Sequence, residues 1–145
     1  MSEENTKSKI ALVTGAGRGI GRKIAESLAR DGMHVICVSK SASSCGGAAD
    51  SIKENGGQAE ALAVDVSSGE EIRKACEQIL EKYECVDVLV NNAGIGTLPD
   101  FEEEDEKGWE TMLSVNSKSI WLGTKSVIPS MLEQKSGSIV NVSSI

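Results

Sequence analysis

A glycine-rich segment near the start of the chain has the residue types and spacing of a phosphate-binding turn. Residues 14–21 read Thr-Gly-Ala-Gly-Arg-Gly-Ile-Gly and directly follow the apolar run at 10–13. Glycine permits positive φ and close approach of the backbone to a ligand, and a helix that follows such a turn points free N–H groups at an anion. The segment therefore predicts a pyrophosphate site, with a turn that only closes a loop as the alternative.

Small and polar residues recur where four later strands are expected to end. They are Ser39 and Lys40, Asp65 and Val66, residues 91–94 (Asn-Asn-Ala-Gly), and Ser143 and Ser144. Because ligands of parallel α/β sheets bind beyond the carboxyl ends of the strands, we expect these residues to meet at one cleft. Each also has a purely structural interpretation, since Asp, Asn and Ser side chains commonly stabilise turns through hydrogen bonds to the backbone.

The elements that would position these residues alternate along the chain. Apolar runs predict strands at 10–13, 34–38, 59–64, 86–90 and 138–143. Helical spacing predicts helices between them: Ile20, Ile24 and Leu28 on the first apolar face, Ala48 and Ile52 on the second, a capping box at 68–71 opening the third, and residues 106–133 mostly helical despite Pro129. This alternation predicts one α/β domain over residues 1–145, with a parallel sheet covered on both faces.

Composition and charge argue against several classes of protein. The 145 residues are 39% hydrophobic and 26% charged, which suits an ordinary domain, and no apolar run approaches the length of a membrane span. The polar start lacks a secretory signal, so we expect a cytoplasmic protein, or an organelle matrix if a presequence has been removed. The net charge of −7 is concentrated in the six acids of residues 100–106, interpreted as a solvated loop before a helix. An acidic chain without a basic stripe argues against nucleic acid as a partner.

The cysteines and the histidine do not form a recognisable metal site. The four cysteines include no C-x-x-C pair, and His34 is the only histidine, so we predict reduced thiols and no bound metal. Cys37 and Cys76 fall at apolar positions and are expected to be buried, whereas Cys45 is expected to be the most exposed.

The motifs taken together resemble the short-chain dehydrogenase/reductase family. The resemblance rests on the turn at 14–21, Asp65, residues 91–94, Asn116 and Ser144, and it runs from residue 9 to residue 145. It implies a Rossmann-type doubly wound parallel sheet with strand order 3-2-1-4-5, of which this chain is the N-terminal portion, ending after the fifth strand. Residues 9–94 look most like the 3-oxoacyl-(acyl-carrier-protein) reductases of fatty acid synthesis, a likeness that fades from Ile95 onward.

The resemblance also implies a set of cofactor contacts. The turn residues Gly15, Gly17, Arg18, Gly19, Ile20 and Gly21 would hold the pyrophosphate, Asp65 and Val66 would contact adenine, and Asn92, Ala93 and Gly94 would line the adenosine side. Where binders of unphosphorylated NAD usually carry an acid after the second strand, this chain has Ser39. Lys40 and Arg18 could flank a 2′-phosphate, which favours NADP(H), although either cation could be an ordinary solvated side chain.

The resemblance implies reduction of a carbonyl compound, either a 3-oxoacyl thioester or a similar ketone, carried on acyl carrier protein or free. Ser144, with Ser143 as the fallback, matches the serine that hydrogen-bonds the carbonyl, and Asn116 matches the asparagine that supports a proton path. The family's Tyr-x-x-x-Lys is absent, and the single tyrosine, Tyr83, is expected to be a packing residue.

We therefore expect the chain as given to be inactive. The alternatives to a reductase are a dinucleotide-binding protein without catalysis and a non-functional remnant. Because the long helix before the fifth strand takes part in subunit pairing in the family, a full-length version is expected to be a homo-oligomer. Ending at the fifth strand is expected to leave an apolar edge and part of that helix uncovered.

Overall fold

Five parallel strands form a single sheet. The structure, a computed structural model, describes residues 7–96 and 100–144. Its strands are β1 (Ile10–Thr14), β2 (His34–Ser39), β3 (Gln58–Ala63), β4 (Val88–Asn91) and β5 (Ser138–Asn141). They lie in the order β3-β2-β1-β4-β5, and every neighbouring pair is parallel. The predicted Rossmann-type sheet is confirmed, and its order reverses between β1 and β4, where such folds open a crevice for ligands.

Helices connect the strands. They are α1 (Gly19–Arg30), α2 (Ala42–Glu54), α3 (Gly69–Tyr83), α4 (Glu106–Leu113) and α5 (Ser119–Glu133), with a 3₁₀ turn at Phe101–Glu103 and a π-helical turn at Ser114–Lys118 that joins α4 to α5. The acidic segment leads into α4 as predicted, and Asp105 caps that helix by accepting from the Gly108 N–H at 2.7 Å. Across residues 7–96 and 100–144, none of the helices combines the length and the apolar character needed to cross a bilayer.

The sheet has a hydrophobic core on each of its two faces. Side chains of a strand alternate between faces, so Ile10 and Leu12 of β1 pack with α3 and α5, while Ala11 and Val13 pack with α1 and α2. The three central strands, β1, β2 and β4, are largely buried on both sides and consequently carry nearly continuous apolar sequence, as parallel strands do. This double packing holds the carboxyl ends of the strands at fixed positions relative to one another.

The face that α1 turns toward the sheet differs from the one predicted. Its buried residues are Gly21, Ala25 and Ala29, whereas Ile20, the first residue of the predicted apolar face, is 65% exposed. Small residues at i, i+4 and i+8 let the helix backbone approach the sheet closely, directly behind the glycine turn. The larger Ile24 and Leu28 lie at the margin of the core, and Ile20 is left facing the crevice.

The expectation that Cys45 is exposed is wrong. Its side chain is 1% exposed, and its Sγ donates to the Ser41 carbonyl at 3.3 Å, because the inner face of α2 extends back through Cys45 to the first turn. Cys37 and Cys76 are buried as predicted, and burial raises the pKa of the Cys37 thiol to about 11. No grouping of three or more His, Cys, Asp or Glu side chains suited to a metal ion occurs within the described residues.

β5 is an edge strand whose residues are all exposed. Large apolar side chains lie open on this strand and on α5, namely Ile139, Val140, Trp121 and Leu132. The sequence-based expectation of an uncovered apolar edge beside the long helix therefore matches the described part of the chain.

Candidate dinucleotide-binding site

The glycine turn has a backbone that favours glycine, as Gly15 and Gly21 illustrate. Gly15 has a φ of 64°, in the left-handed region that favours glycine. A Cβ on Gly21 would collide with the Gly15 carbonyl oxygen and with Asn92 Nδ2. Arg18 precedes α1 without making a capping hydrogen bond, and the first turn of α1 carries no acid. The backbone N–H groups at the start of α1 are therefore open to an anion.

Thr14 connects this turn to the end of β4. Its Oγ1 accepts from the backbone N–H groups of Asn92 and Ala93, both at 3.0 Å. Asn92 Nδ2 also donates to the carbonyl oxygens of Thr14 and Gly15, at 3.1 and 3.3 Å. The turn after β1 and the segment after β4 are thus fixed to each other across the point where the strand order reverses.

The strand ends meet at an open cleft of about 610 Å³. Every residue that the sequence predicts to contact a cofactor lines it, with the exception of Gly21: Gly15, Gly17, Arg18, Gly19, Ile20, Ser39, Lys40, Asp65, Val66, Asn92, Ala93 and Gly94. Gly21 lies just behind the lining, where its lack of a side chain permits the turn. The glycine turn lines the cleft, and the first turn of the helix that follows it carries no acid, so the residues present fit a dinucleotide pyrophosphate.

Several residues of the cleft were missed by the sequence reasoning. They are Ser41, Ser44, Val64, Ser67, Ile95, Thr111 and Val115. Ser41 and Ser44 could have been found from the sequence. Ser41 follows Lys40 directly and is the N-cap of α2, where its side chain accepts from the Ser44 N–H. Thr111 and Val115 come from the helical segment after the acidic run, and no local pattern places that segment at the cleft.

Asp65 is held on several sides. Its Oδ1 accepts from the backbone N–H and the hydroxyl of Ser67, at 2.9 and 2.7 Å, while its Oδ2 lies 2.8 Å from Lys40 Nζ. Lys40 and Ser67 together lower the pKa of the Asp65 carboxyl to about 2. Of the two hydrogen bonds of the predicted capping box, the one from the Glu71 N–H to Ser68 Oγ is formed. The Glu71 carboxylate instead accepts from the Asp65 N–H, at 2.7 Å.

The two cations predicted to meet a 2′-phosphate differ in their surroundings. Lys40 is paired with Asp65, whereas Arg18 makes no ion pair within the described part of the chain and is exposed at the cleft. Ser39 ends β2, and its hydroxyl donates to the Ser41 carbonyl at 2.8 Å. The end of β2 therefore carries a hydroxyl and a cation where an acid would repel a phosphate.

Asn91 and Asn116 are occupied by contacts within the protein. Asn91 is 4% exposed, and its Nδ2 donates to Asn141 Oδ1 at 2.9 Å, which joins β4 to β5. Asn116, in the π-helical turn, accepts from the Ile95 N–H at 2.9 Å and donates to the Ile95 carbonyl at 2.8 Å. Asn116 thus fixes the segment after β4 rather than lining the cleft itself.

The predicted catalytic serines follow the carboxyl end of β5, which is the end of the sheet at which the cleft lies. Ser143 and Ser144 follow β5, whose last residue, Asn141, pairs with Asn91 of β4. Both serines are exposed, and the described lining of the cleft does not include them. Tyr83 lies elsewhere, at the end of α3, where its hydroxyl is 3.2 Å from Nε2 of His34, the first residue of β2. Tyr83 is therefore at the amino-terminal end of the strands, opposite the cleft, as the sequence predicted.

Comparison with known protein families agrees with this geometry. Residues 9–145 match the family model described as short chain dehydrogenase. Among curated relatives, an uncharacterized oxidoreductase of Staphylococcus saprophyticus is 39% identical over 140 residues, which are 96% of this chain and 60% of that protein. A 3-oxoacyl-(acyl-carrier-protein) reductase of Staphylococcus epidermidis is 37% identical over 139 residues, 95% of this chain and 57% of the reductase.

A solved structure gives the same result for the fold. A metagenomic short-chain oxidoreductase in complex with NADP superposes with a TM-score of 0.92 at 33% identity, over 94% of this chain and 62% of that protein. The chain therefore spans about three fifths of the length of these relatives.

Proposed function

This chain belongs to the short-chain dehydrogenase family, and from that premise we propose that its cleft binds NADP(H) for the reduction of a carbonyl compound. One observation carries the proposal: the glycine turn and the ends of β2, β3 and β4 line a single cleft that holds Arg18 and Lys40 and has no acid at the end of β2. The structural relative in complex with NADP supports the choice of the phosphorylated cofactor.

Each part of the cleft has a distinct task in this proposal. The turn from Gly15 to Gly21 holds the pyrophosphate through its backbone N–H groups, Asp65 and Val66 contact adenine, and Asn92, Ala93 and Gly94 line the adenosine ribose. Arg18 and Lys40 bind the 2′-phosphate, Arg18 through its planar fork of N–H donors and Lys40 as a point charge. When bound, the reduced nicotinamide supplies the hydride that a carbonyl carbon accepts.

The residues assigned to the reaction itself are Ser144 and Asn116. In the proposal, Ser144 donates a hydrogen bond to the substrate carbonyl, and Asn116 is a positioning residue that supports the proton path by fixing the Ile95 backbone. The substrate is a 3-oxoacyl thioester or a similar ketone, free or carried on acyl carrier protein, in keeping with the reductase relative. A cytoplasmic location and homo-oligomeric assembly belong to the same proposal.

The described residues include no tyrosine near the cleft that could donate a proton to the substrate. The 145 residues contain one tyrosine, Tyr83, and it contacts His34 at the far edge of the sheet. Reduction in this family's manner requires a Tyr-x-x-x-Lys near Ser144, so we expect these residues by themselves to bind the cofactor without turning it over.

The experiment that tests the proposal is a fluorescence titration of the chain with NADPH and with NADH. We expect NADPH to bind more tightly, and Arg18→Ser to reduce that preference by about tenfold, because a charge-assisted hydrogen bond to the 2′-phosphate is lost. Arg30→Ser is the matched control, since it removes the same charge from the opposite end of α1. Absence of binding by either cofactor, or equal affinity for both, would overturn the proposal.

A further inference from the structure

An ion pair bridges the adenosine side of the cleft. Lys40 follows β2 and Asp65 follows β3, and these strands are neighbours, with Ser39 opposite Ala63 in the register. Lys40 Nζ lies 2.8 Å from Asp65 Oδ2, and both residues line the cleft. The lysine that would meet a 2′-phosphate is thus already bound to the carboxylate that would meet adenine.

The two partners of this ion pair are held very differently. Asp65 is fixed by Ser67 through its Oδ1 and by Glu71 through its backbone N–H, and its side chain is 26% exposed. The Lys40 side chain is 79% exposed, and its described contact is the one with Asp65. Because a lysine side chain is long and flexible, Lys40 is the partner that can change position while Asp65 stays in place.

We infer that the 2′-phosphate of a bound nucleotide takes Lys40 over from Asp65, so that Asp65 sets how strongly the cleft prefers 2′-phosphorylated over unphosphorylated nucleotides. This inference rests on the proposed NADP(H) function and adds a specificity-determining role for Asp65. A phosphate monoester carries nearly two negative charges and three acceptor oxygens, so it attracts Lys40 more strongly than one carboxylate does. Arg18, exposed at the same cleft, supplies the second cation.

The charge balance at Lys40 supports this exchange. Asp65, by hydrogen bonding and by its charge, together with the charge of Glu71, raises the pKa of the Lys40 ammonium, which therefore stays protonated and available to a phosphate. An exposed ion pair changes an equilibrium constant by about fivefold at most. A nucleotide without the 2′-phosphate leaves the pair intact, whereas one with the 2′-phosphate must break it. Asp65 therefore lowers the preference for the phosphorylated nucleotide by a similar factor.

The test compares two nucleotides that differ only in the 2′-phosphate: adenosine 2′,5′-bisphosphate and 5′-AMP. Their dissociation constants are measured by calorimetry for the wild-type chain and for Asp65→Asn. Asparagine keeps the Oδ1 acceptor used by Ser67, and any lost adenine contact affects both nucleotides and cancels in the ratio of the two constants. We expect the preference for the bisphosphate to rise by about two- to fivefold.

Two further variants test whether the effect of Asp65→Asn depends on the release of Lys40 from Asp65. In the background of Lys40→Met, Asp65→Asn should leave the ratio unchanged, since no lysine remains to be released. Asp50→Asn is the charge-matched control, because it breaks the exposed ion pair with Lys53 on α2, and it should also leave the ratio unchanged. Asp65→Ser, which retains a short hydroxyl, replaces the asparagine variant if circular dichroism shows that the latter is unfolded.

An unchanged ratio in Asp65→Asn, or an equal rise with and without Lys40, overturns the inference while leaving the proposed function intact. Failure of the wild-type chain to bind either nucleotide or NADPH overturns the proposed function itself, and the inference with it.

Discussion

Asn92 donates two hydrogen bonds to Thr14. The Asn92 backbone N–H donates to Thr14 Oγ1 at 3.0 Å, and Asn92 Nδ2 donates to the Thr14 carbonyl at 3.1 Å. Thr14 ends β1 and Asn92 follows β4, so the pair joins the two strands between which the order of the sheet reverses. The Asn92 amide group is therefore used to hold the glycine turn in shape, and the cleft depends on it indirectly.

The hydrogen bonds between Thr14 and the segment after β4 form a clamp, and replacement of the Thr14 hydroxyl tests it. Thr14→Val keeps the shape of the side chain but leaves the N–H groups of Asn92 and Ala93 without their acceptor. We expect the free energy of unfolding to fall by about 2 kcal/mol, the effect of leaving partly buried donors unpaired, and NADPH affinity to fall with it. Urea denaturation measures the first and fluorescence titration the second. Thr14→Ser, which retains the hydroxyl, should keep most of both; equal behaviour of the two variants would contradict the role of the clamp.

Addition of one methyl group at Gly21 tests the fit of the turn. A Cβ there would meet the Gly15 carbonyl oxygen and the side-chain Nδ2 of Asn92, which are hydrogen-bonded to each other. Since neither can move without disturbing the turn, we expect Gly21→Ala to destabilise the fold by about 2 kcal/mol and to weaken NADPH binding by about tenfold or more. Thermal unfolding and titration would measure these effects.

Gly46, inside α2, provides the matched control for that substitution. A Cβ at Gly46 meets nothing within 4 Å. Gly46→Ala should therefore stabilise the chain by about 0.5 to 1 kcal/mol, because alanine has less backbone entropy to lose in a helix, and should leave NADPH affinity unchanged. A Gly21→Ala variant that gains stability as this one does would show that the turn tolerates a side chain.

The features that the sequence predicted correctly are those encoded over a few residues. The glycine turn, the five strands and the polar residues at their ends each form a local pattern, and the alternation of strands and helices is enough to bring those ends to one edge of a sheet. The positions of the cleft residues follow from that topology without any knowledge of side-chain contacts.

What the sequence did not predict depends on packing between distant segments. The inner face of α1 uses Gly21, Ala25 and Ala29 because the helix lies close to the sheet, whereas hydrophobicity alone favours Ile20. The ion pair of Lys40 with Asp65 depends on the register of β2 against β3, which no motif encodes. Such contacts become visible only when the structure fixes the spacing between elements.

Asn116 and Ile95 provide the last test, since they are 21 residues apart in sequence and joined by two hydrogen bonds. Asn116→Asp keeps the acceptor for the Ile95 N–H but replaces the donor to the Ile95 carbonyl with an oxygen, which repels it. We expect the segment after β4 to loosen and NADPH affinity to fall by about fivefold, as for one lost hydrogen bond of about 1 kcal/mol.

The same substitution at Asn55 separates this effect from a general loss of stability. Asn55 Nδ2 donates to the Ser51 carbonyl at 2.7 Å at the end of α2, and neither residue lines the cleft. Asn55→Asp should therefore lower the free energy of unfolding by a similar amount while leaving the NADPH dissociation constant unchanged. Equal NADPH affinities for Asn116→Asp, Asn55→Asp and the wild-type chain would mean that the Ile95 backbone is not held in place for the cofactor, and Asn116 would lose its role as a positioning residue.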